Sequence, residues 1–557
     1  MSAALSPPAG CLGAQRLTAA LALAATIGLV AIALQLHYGL LGDVSWLITV
    51  DEKWLDGATP YLDVIEINPP ASLMLYWPAV ALARLLGVAP EFTVAAFGFL
   101  SIAASLGVSA VILSRAGLAE RIGPVGFGLA LAALAILPGQ SFDERDQLAV
   151  LYGLPFLALA AARAANGAVD PPLALVAGLG AGVMAIIKPP YALVALAVAP
   201  YLIRRIGFRA ALSCSEFYVA GASGLIYVAL VAHAFPHYVE TVLPLGVALY
   251  APIREPLVTL LTGPGALVVF VLGAATTRIA GRELAAPLVA VPALGALGAL
   301  AAFLVQGKGW LYQIYPALAL MTLAASFALD LRPACLPRMA LSALAALATA
   351  LAVVFLGRWP LPIACAAAAG AAALARIFAK DARFEEMGIA AVFGAACGLF
   401  AIDGIRTPAL ERALASLGPH PSVAAISESL AFGHPMVRAV GGVWAQSVPS
   451  LWITAAARRM IDEHPADPAI AAQMQRYIEA DRDRLVADLD KNRPDALLVG
   501  RLDTRFHQWA WSDPKVTAAR ADYRLFAENP DPGFPAALYV RKDLLDRLKA
   551  ARSQTIQ

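Results

Sequence analysis

Six carboxylates fall within a short stretch near the start of the chain: Asp43, Asp51, Glu52, Asp56, Asp63 and Glu66, in DVSWLITVDEKWLDGATPYLDVIEINPP, residues 43 to 70. They follow directly on an apolar run over 17 to 36 that is long enough to cross a bilayer, and acids beside a membrane are costly unless they have a task. A carboxylate at the lip of a membrane cavity can accept the proton of an incoming hydroxyl or help to hold a cation, once burial or a neighbour tunes it. Asp43 lies nearest the membrane and is the first candidate. Taken singly, Asp51, Glu52 and Asp56 read as solvated loop charges.

Four further segments carry complementary chemistry. In SFDERDQ, 141 to 147, Asp143, Glu144 and Asp146 surround Arg145, whose planar guanidinium can grip a phosphate or another acid through two parallel hydrogen bonds. A solvated loop that caps the following helix accounts for the same residues, and which of the three acids would react is open. Lys188 ends an apolar run in IIKPPY and either reaches up to headgroups or contacts a phosphate. QGKGWLYQIYPA, 306 to 317, sets Lys308 between glycines, with Trp310, Tyr312, Gln313 and Tyr315 entering the next apolar run as an interfacial belt or a substrate surface. Arg254 sits in a loop over 236 to 257 that is long enough to act as a lid, and is a further phosphate candidate. His233 and His434 have no metal-ligand spacing and read as structural.

The elements that must position these groups follow from composition. Of 557 residues 60% are hydrophobic and 14% charged, and the mean hydropathy is +0.70. Soluble domains carry roughly 25% charge, so a polytopic membrane protein is expected and a nucleic-acid-binding protein is not. Apolar runs near 17–36, 92–114, 123–139, 147–165, 171–188, 190–204, 215–235, 258–277, 284–304, 311–329, 337–356, 360–377 and 387–404 predict about thirteen membrane helices. One more run, 70 to 87, opens with Pro69-Pro70 and contains Pro78 and Arg84. If it lies in the interface, the loops with Arg115/Arg121, Arg163, Arg204/Arg205/Arg209, Arg278/Arg282, Arg332/Arg338 and Arg376/Lys380/Arg383 all share one side, as the positive-inside rule prefers. The acidic loops then share the outer face. An odd number of spans also puts the C-terminus outside. From about 406 the chain becomes charged, and PDALLVG (494–500) and AALYVRKD (536–543) read as strands after a helical stretch over 468–490. The expected domains are 1–405, a membrane domain with its first outer loop at 37–91, and 406–557, a small α/β domain. The five cysteines form no CxxC pair, which argues against a disulfide framework or a zinc site.

The first loop resembles that of GT-C glycosyltransferases, a superfamily that includes the protein O-mannosyltransferases and the lipid A aminoarabinose transferase. The likeness rests on an Asp at the mouth of the first helix, then G-x-x-P-Y-x-D (Gly57, Pro60, Tyr61, Asp63), then Asn68-Pro69-Pro70 and an interfacial apolar segment. GQSFDERDQLAVLYGLPFLAL, GLGAGVMAIIKPPY and QGKGWLYQIYPAL look like a bacterial branch. The resemblance spans 17 to about 405 and is most specific in the first loop. It implies transfer of a sugar from a polyprenyl-phosphate carrier to a lipid, polysaccharide or protein acceptor, at the periplasmic face of a bacterial inner membrane. Asp43 matches the position of the family's catalytic acid by spacing, whereas Asp51-Glu52, which imitates an acidic doublet of some members, stands too close to Gly57. The second acid of the family falls in the next outer loop, hence among Asp143, Glu144 and Asp146. The implied donor-phosphate ligands are Arg145, Lys188, Arg254 and Lys308, and the substrate contacts Tyr61, Asp63, Glu66, Trp310, Tyr312 and Gln313. A divalent cation, Mg or Mn, between Asp43 and the second acid is an alternative to a metal-free site, since members of the superfamily differ. Trp444 and Trp452 of the tail either stack on sugars or pack. A transporter or flippase of lipid-linked saccharides is the competing class; it calls for charges deep within the spans and for repeated halves, neither of which is evident here. A polymerase or ligase of lipid-linked saccharides calls for a larger arginine-rich outer loop.

Overall fold

A computed structural model of the chain describes residues 9–331, 336–357, 383–402, 407–529, 531 and 533–555. The run at 360–377 therefore lies outside the described residues. Each of the other twelve runs forms a helix, from Ala9–Tyr38 to Arg383–Ala401. Seven helices are long and apolar enough to cross a membrane; shorter apolar helices such as Pro171–Ile187 accompany them among the described residues. Proline and glycine set several of these lengths: the helix Pro171–Ile187 ends against Pro189-Pro190, and Leu257–Thr262 is separated by Gly263 from Pro264–Ala280, which opens on its proline. The protein is a multi-pass α-helical membrane protein with a small C-terminal α/β region.

The chain forms two units: residues 1–39, 94–229 and 254–404 make the first, and residues 40–93, 230–253 and 405–557 the second. The first is a helical bundle. Its most enclosed members, Arg145–Ala164 and Leu311–Asp330, are each 89% buried within the protein, so their apolar residues face other helices all round, as expected of central elements. Small residues permit the close approach: a Cβ on Gly298 would meet the Leu193 carbonyl oxygen at 2.4 Å, and one on Gly180 the Tyr152 carbonyl at 2.3 Å.

In the second unit residues 40–93, the 230–253 segment and the tail pack together. The run at 70–87 is the helix Ala71–Leu86 and belongs here, with the loop that precedes it. Residues 238–250 form two π-helical turns, Tyr238–Val242 and Gly246–Tyr250, around Leu243–Leu245. Pro244 between them lacks an N–H and crowds the preceding turn, which favours the wider turns. Leu249 anchors this segment on Ile453, Met474 and Ile478 of the tail.

The tail carries a five-stranded sheet with strands β1 (Ser422–Ile426), β2 (Val443–Trp444), β3 (Ala496–Gly500), β4 (Tyr523–Asn529) and β5 (Ala536–Arg541), in the order β2-β1-β3-β5-β4. β1 runs parallel to β2 and β3, whereas β5 is antiparallel to β3 and β4. Both strands expected from sequence are present. β1 was not foreseen, because its SVAAI pattern is buried nearly throughout and shows no alternation.

Helix Trp452–Glu463 is tied to Pro468–Asn492 by a buried acid. Asp481 Oδ2 accepts the Thr454 N–H at 3.0 Å and its hydroxyl at 2.7 Å, while Oδ1 has no hydrogen-bond partner. Burial pushes the Asp481 pKa up to about 6. Because the folded value lies above the unfolded one, the associated stability is full below pH ~4 and is lost as the pH rises to about 6. Asp481→Asn keeps an acceptor and removes the charge, so it should flatten that dependence and stabilise the tail above pH 6 by on the order of 2 kcal/mol. Thermal unfolding of the full chain at pH 4.5 and 7.5, followed by tail proteolysis, checks this; an unchanged pH slope in the variant contradicts it.

Candidate functional site

In the membrane bundle, Asp146 stands in the first turn of helix Arg145–Ala164 and is fully buried. Lys188, at the end of Pro171–Ile187, donates from Nζ to Asp146 Oδ2 at 2.5 Å, and the Tyr191 hydroxyl donates to Oδ1. The ammonium also lies 5.1 Å over the Tyr312 ring, and Tyr312 in turn meets Trp310. Two elements distant in sequence thus hold one cation, by a carboxylate and an aromatic face. An ammonium has three N–H groups, and the Asp146 contact uses one.

The neighbouring acids also make contacts within the loop. Asp143 is buried in left-handed backbone (φ 63°), and its N–H donates to Gln147 Oε1 at 2.7 Å, while Gln147 Nε2 donates to the Leu134 carbonyl. Its carboxylate occupies the space left by Gly98, where a Cβ would stand 1.8 Å from Oδ1. Burial, and then the charge of Glu144, push the Asp143 pKa well above the usual carboxylate range. Glu144 precedes the helix and accepts the Arg145 N–H at 3.2 Å; the two side chains lie 3.9 Å apart. Asp146 is gripped by a cation and a hydroxyl that come from outside its own helix.

Arg254 donates to the carbonyls of Val305 (2.8 Å) and Leu304 (3.0 Å), closing the C-terminal end of Pro287–Gln306. Gly307, in left-handed backbone, makes room for that guanidinium: a Cβ there would stand 2.8 Å from it. Lys308 is largely buried between Gly307 and Gly309. Gln313 is buried, and its Oε1 has no hydrogen-bond partner among the described residues.

In the second unit, Asp43 occupies the first turn of helix Gly42–Leu55, half-buried, with no ion pair or side-chain hydrogen bond among the described residues. The other acids of this loop have different surroundings. Glu66 is buried and accepts from Trp46 Nε1, the Asn68 N–H (2.7 Å) and the Asn68 side chain. Tyr61 is buried in left-handed backbone, donates to the Asn68 carbonyl at 3.0 Å and packs on Tyr238. Asp63 is exposed and accepts the Thr59 N–H at 2.7 Å. Glu66 and Tyr61 thereby shape the loop from within.

Two expectations for this loop are corrected. Asp51 is not a solvated charge: it is fully buried, neither oxygen has a hydrogen-bond partner, and burial followed by the Glu52 charge pushes its pKa well upward. Asp51 falls on the packed face of a helix that is buried almost continuously from Val44 to Asp51, which a polar loop does not suggest. Glu52 is not free either, since it shares Arg438 with Glu91 (2.7 Å) and Thr49 (3.3 Å). Asp56 is exposed and pairs with Arg84.

Sequence reading missed Tyr191 and Arg438. Tyr191 could have been found, since it stands three residues after Lys188 and one helical turn brings both to the same acid. Arg438 carries no local signal. With Lys53 Nζ donating to the Gln446 carbonyl (2.6 Å) and the Ile65 N–H to Ser447 O (2.8 Å), it joins the tail to the first loop. Arg438→Ala leaves two carboxylates without their shared cation, at a cost on the order of 3 kcal/mol. The expected readout is a lower thermal midpoint and faster proteolysis of the tail; an unchanged midpoint would contradict it.

Among the described residues no group of three His, Cys, Asp or Glu side chains is arranged to hold a metal ion. Trp444 packs on His434 and donates to the Val448 carbonyl at 2.9 Å, so it is a packing residue. Cys214 and Cys397 are free thiols.

No protein-family model and no curated protein sequence matches the chain. Among solved structures it is similar to that of ArnT from Cupriavidus metallidurans bound to undecaprenyl phosphate, with 15% identity over 94% of this chain and 97% of that one, and a TM-score of 0.53. At that identity the likeness concerns architecture: over 94% of its length the chain shares the fold of that structure.

Proposed function

We propose that the protein transfers a sugar from a polyprenyl-phosphate carrier to an acceptor hydroxyl of a glycolipid, polysaccharide or protein, at the periplasmic face of a bacterial inner membrane. The observation that carries this reading is the Lys188 ammonium, held at a helix end by Asp146 and the Tyr312 ring with N–H groups left to offer a phosphate. A fold shared with a protein solved with undecaprenyl phosphate supports it.

In this reading the acceptor oxygen attacks the anomeric carbon. The new glycosidic bond forms as the bond to the carrier phosphate oxygen breaks, and the bonding pair leaves with the phosphate. By its resemblance to the family's acid, Asp43, which makes no ion pair or side-chain hydrogen bond among the described residues, takes the acceptor's proton. Lys188 meets the charge that develops on the leaving phosphate, with Lys308 and Arg145 as further cations of that role. Asp146 and Tyr191 position the Lys188 ammonium. Trp310, which is exposed beside Tyr312, presents a ring face to the sugar. A single displacement inverts the configuration at the anomeric carbon.

The test uses purified full-length protein in liposomes with a radiolabelled polyprenyl-phosphate sugar and a lipid and glycan extract. Release of polyprenyl phosphate in equal amount to sugar incorporated is expected. Movement of the intact lipid-linked sugar across the bilayer without bond cleavage would overturn the reading in favour of a flippase.

A further inference from the structure

The tail holds a cavity that the proposed reaction does not use. Its strand order reverses at β1: the chain leaves β1 for β2 on one side, then returns through helices Trp452–Glu463 and Pro468–Asn492 to β3 on the other. In open sheets of this kind, ligands settle outside the carboxyl ends of the parallel strands at such a reversal, because the loops that follow them diverge and leave a crevice. Here the loop after β1 and the loop after β3 are tied by the Asp503 N–H donating to Glu428 Oε1 at 3.2 Å. Beside this tie is a cavity of about 330 Å³, between the residues that follow β3 and one stripe of helix Trp452–Glu463. That volume falls in the range of small-molecule sites, about 300–1,000 Å³.

Charged side chains are the majority of the lining residues, beside Ala455 and Phe506. These are Arg458, Arg459, Asp462, Glu463, Asp503 and Arg505. Most of these charges are matched: Arg459 pairs with Glu463 at 2.7 Å, Arg505 pairs with Asp462 at 2.7 Å, and Asp503 accepts the N–H groups of Arg505 and Phe506 at 2.9 and 3.0 Å. Arg458, half-buried, has no hydrogen bond or ion pair among the described residues. Paired guanidinium and carboxylate groups offer planar donors and acceptors at fixed spacing, which suits vicinal hydroxyls, and the unmatched Arg458 adds one positive charge.

We infer that this cavity binds a saccharide bearing an acidic group, a uronate or a sugar phosphate, with Arg458 engaging the acid and the paired arginines and carboxylates engaging the hydroxyls. The inference is independent of sugar transfer, and its test reads binding without turnover, so the two can fail separately. Full-length protein in detergent is titrated calorimetrically with glucuronic acid, glucose 6-phosphate, glucose and inorganic phosphate. Glucuronic acid and glucose 6-phosphate should bind about tenfold or more tightly than glucose, and than phosphate alone. Arg458→Ala should weaken the acidic sugars by about tenfold while leaving the thermal midpoint in place, with Arg458→Lys intermediate. Asp462→Asn removes a competing carboxylate beside Arg505 and should strengthen them, so a poorly folded alanine variant does not leave the matter undecided. Equal binding of glucose and glucuronic acid, phosphate binding as tightly as the sugar phosphate, unchanged affinity in Arg458→Ala with no gain in Asp462→Asn, or no binding of any probe would each overturn the inference.

Discussion

Replacing Asp43 by asparagine should lower sugar transfer by about 10²- to 10⁴-fold, the usual contribution of a positioned general base, with little effect on folding. The second half of the expectation follows from its surroundings: Asp43 lies half-buried in the first turn of its helix and makes no ion pair or side-chain hydrogen bond among the described residues, so the amide removes no structural contact. Asparagine keeps the size and the acceptor oxygen but cannot accept a proton to form a neutral acid. The informative contrast is Asp51→Asn, eight residues on in the same helix. Asp51 is fully buried with neither oxygen partnered, so a neutral isostere should leave stability equal or higher and transfer largely intact. Turnover by both variants, measured beside their thermal midpoints, settles the assignment. Transfer that survives in Asp43→Asn and vanishes in Asp51→Asn would move the base from one acid to the other.

Lys188→Met should have two separable effects. The first is structural, since Asp146 is fully buried and Lys188 is its cation. Removing one partner of a buried pair typically costs about 3–5 kcal/mol, because the remaining charge stays in a medium that cannot solvate it. The second is chemical: loss of one donor to a developing negative charge typically lowers turnover by about 10²- to 10³-fold. The double variant Lys188→Met/Asp146→Asn distinguishes them. Once the buried charge is gone stability should largely return, whereas transfer should not. Recovery of transfer together with stability would show that the pair serves only to hold helices Arg145–Ala164 and Pro171–Ile187 together.

Much of the architecture was legible in the amino-acid sequence because the signals are local. A run of apolar residues bounded by charge or proline is read within a window of about twenty residues, and the helices Pro90–Arg115, Ser215–Ala234 and Leu311–Asp330 follow such runs closely. The helix Pro468–Asn492 and strands β3 and β5 were equally open to view. The acids were less so. Asp43, Asp51 and Glu66 lie in one stretch and look alike by composition, yet among the described residues the first is half-buried without a partner, the second buried without one, and the third buried against Trp46 and Asn68. What distinguishes them is the chain on the other side of each side chain.

Sequence alone thus determined that this is a multi-pass membrane protein with acids and cations concentrated in the loops between particular helices. Tertiary structure decided which of those groups are held and by what: Lys188 and Tyr191 on Asp146, forty-two and forty-five residues away, and Arg438 on Glu52 across nearly four hundred. Hydropathy is a property of neighbours along the chain and survives in any fold. The state of a charge depends on the groups that replace its water, and those arrive from distant segments only when the helices and the tail have packed.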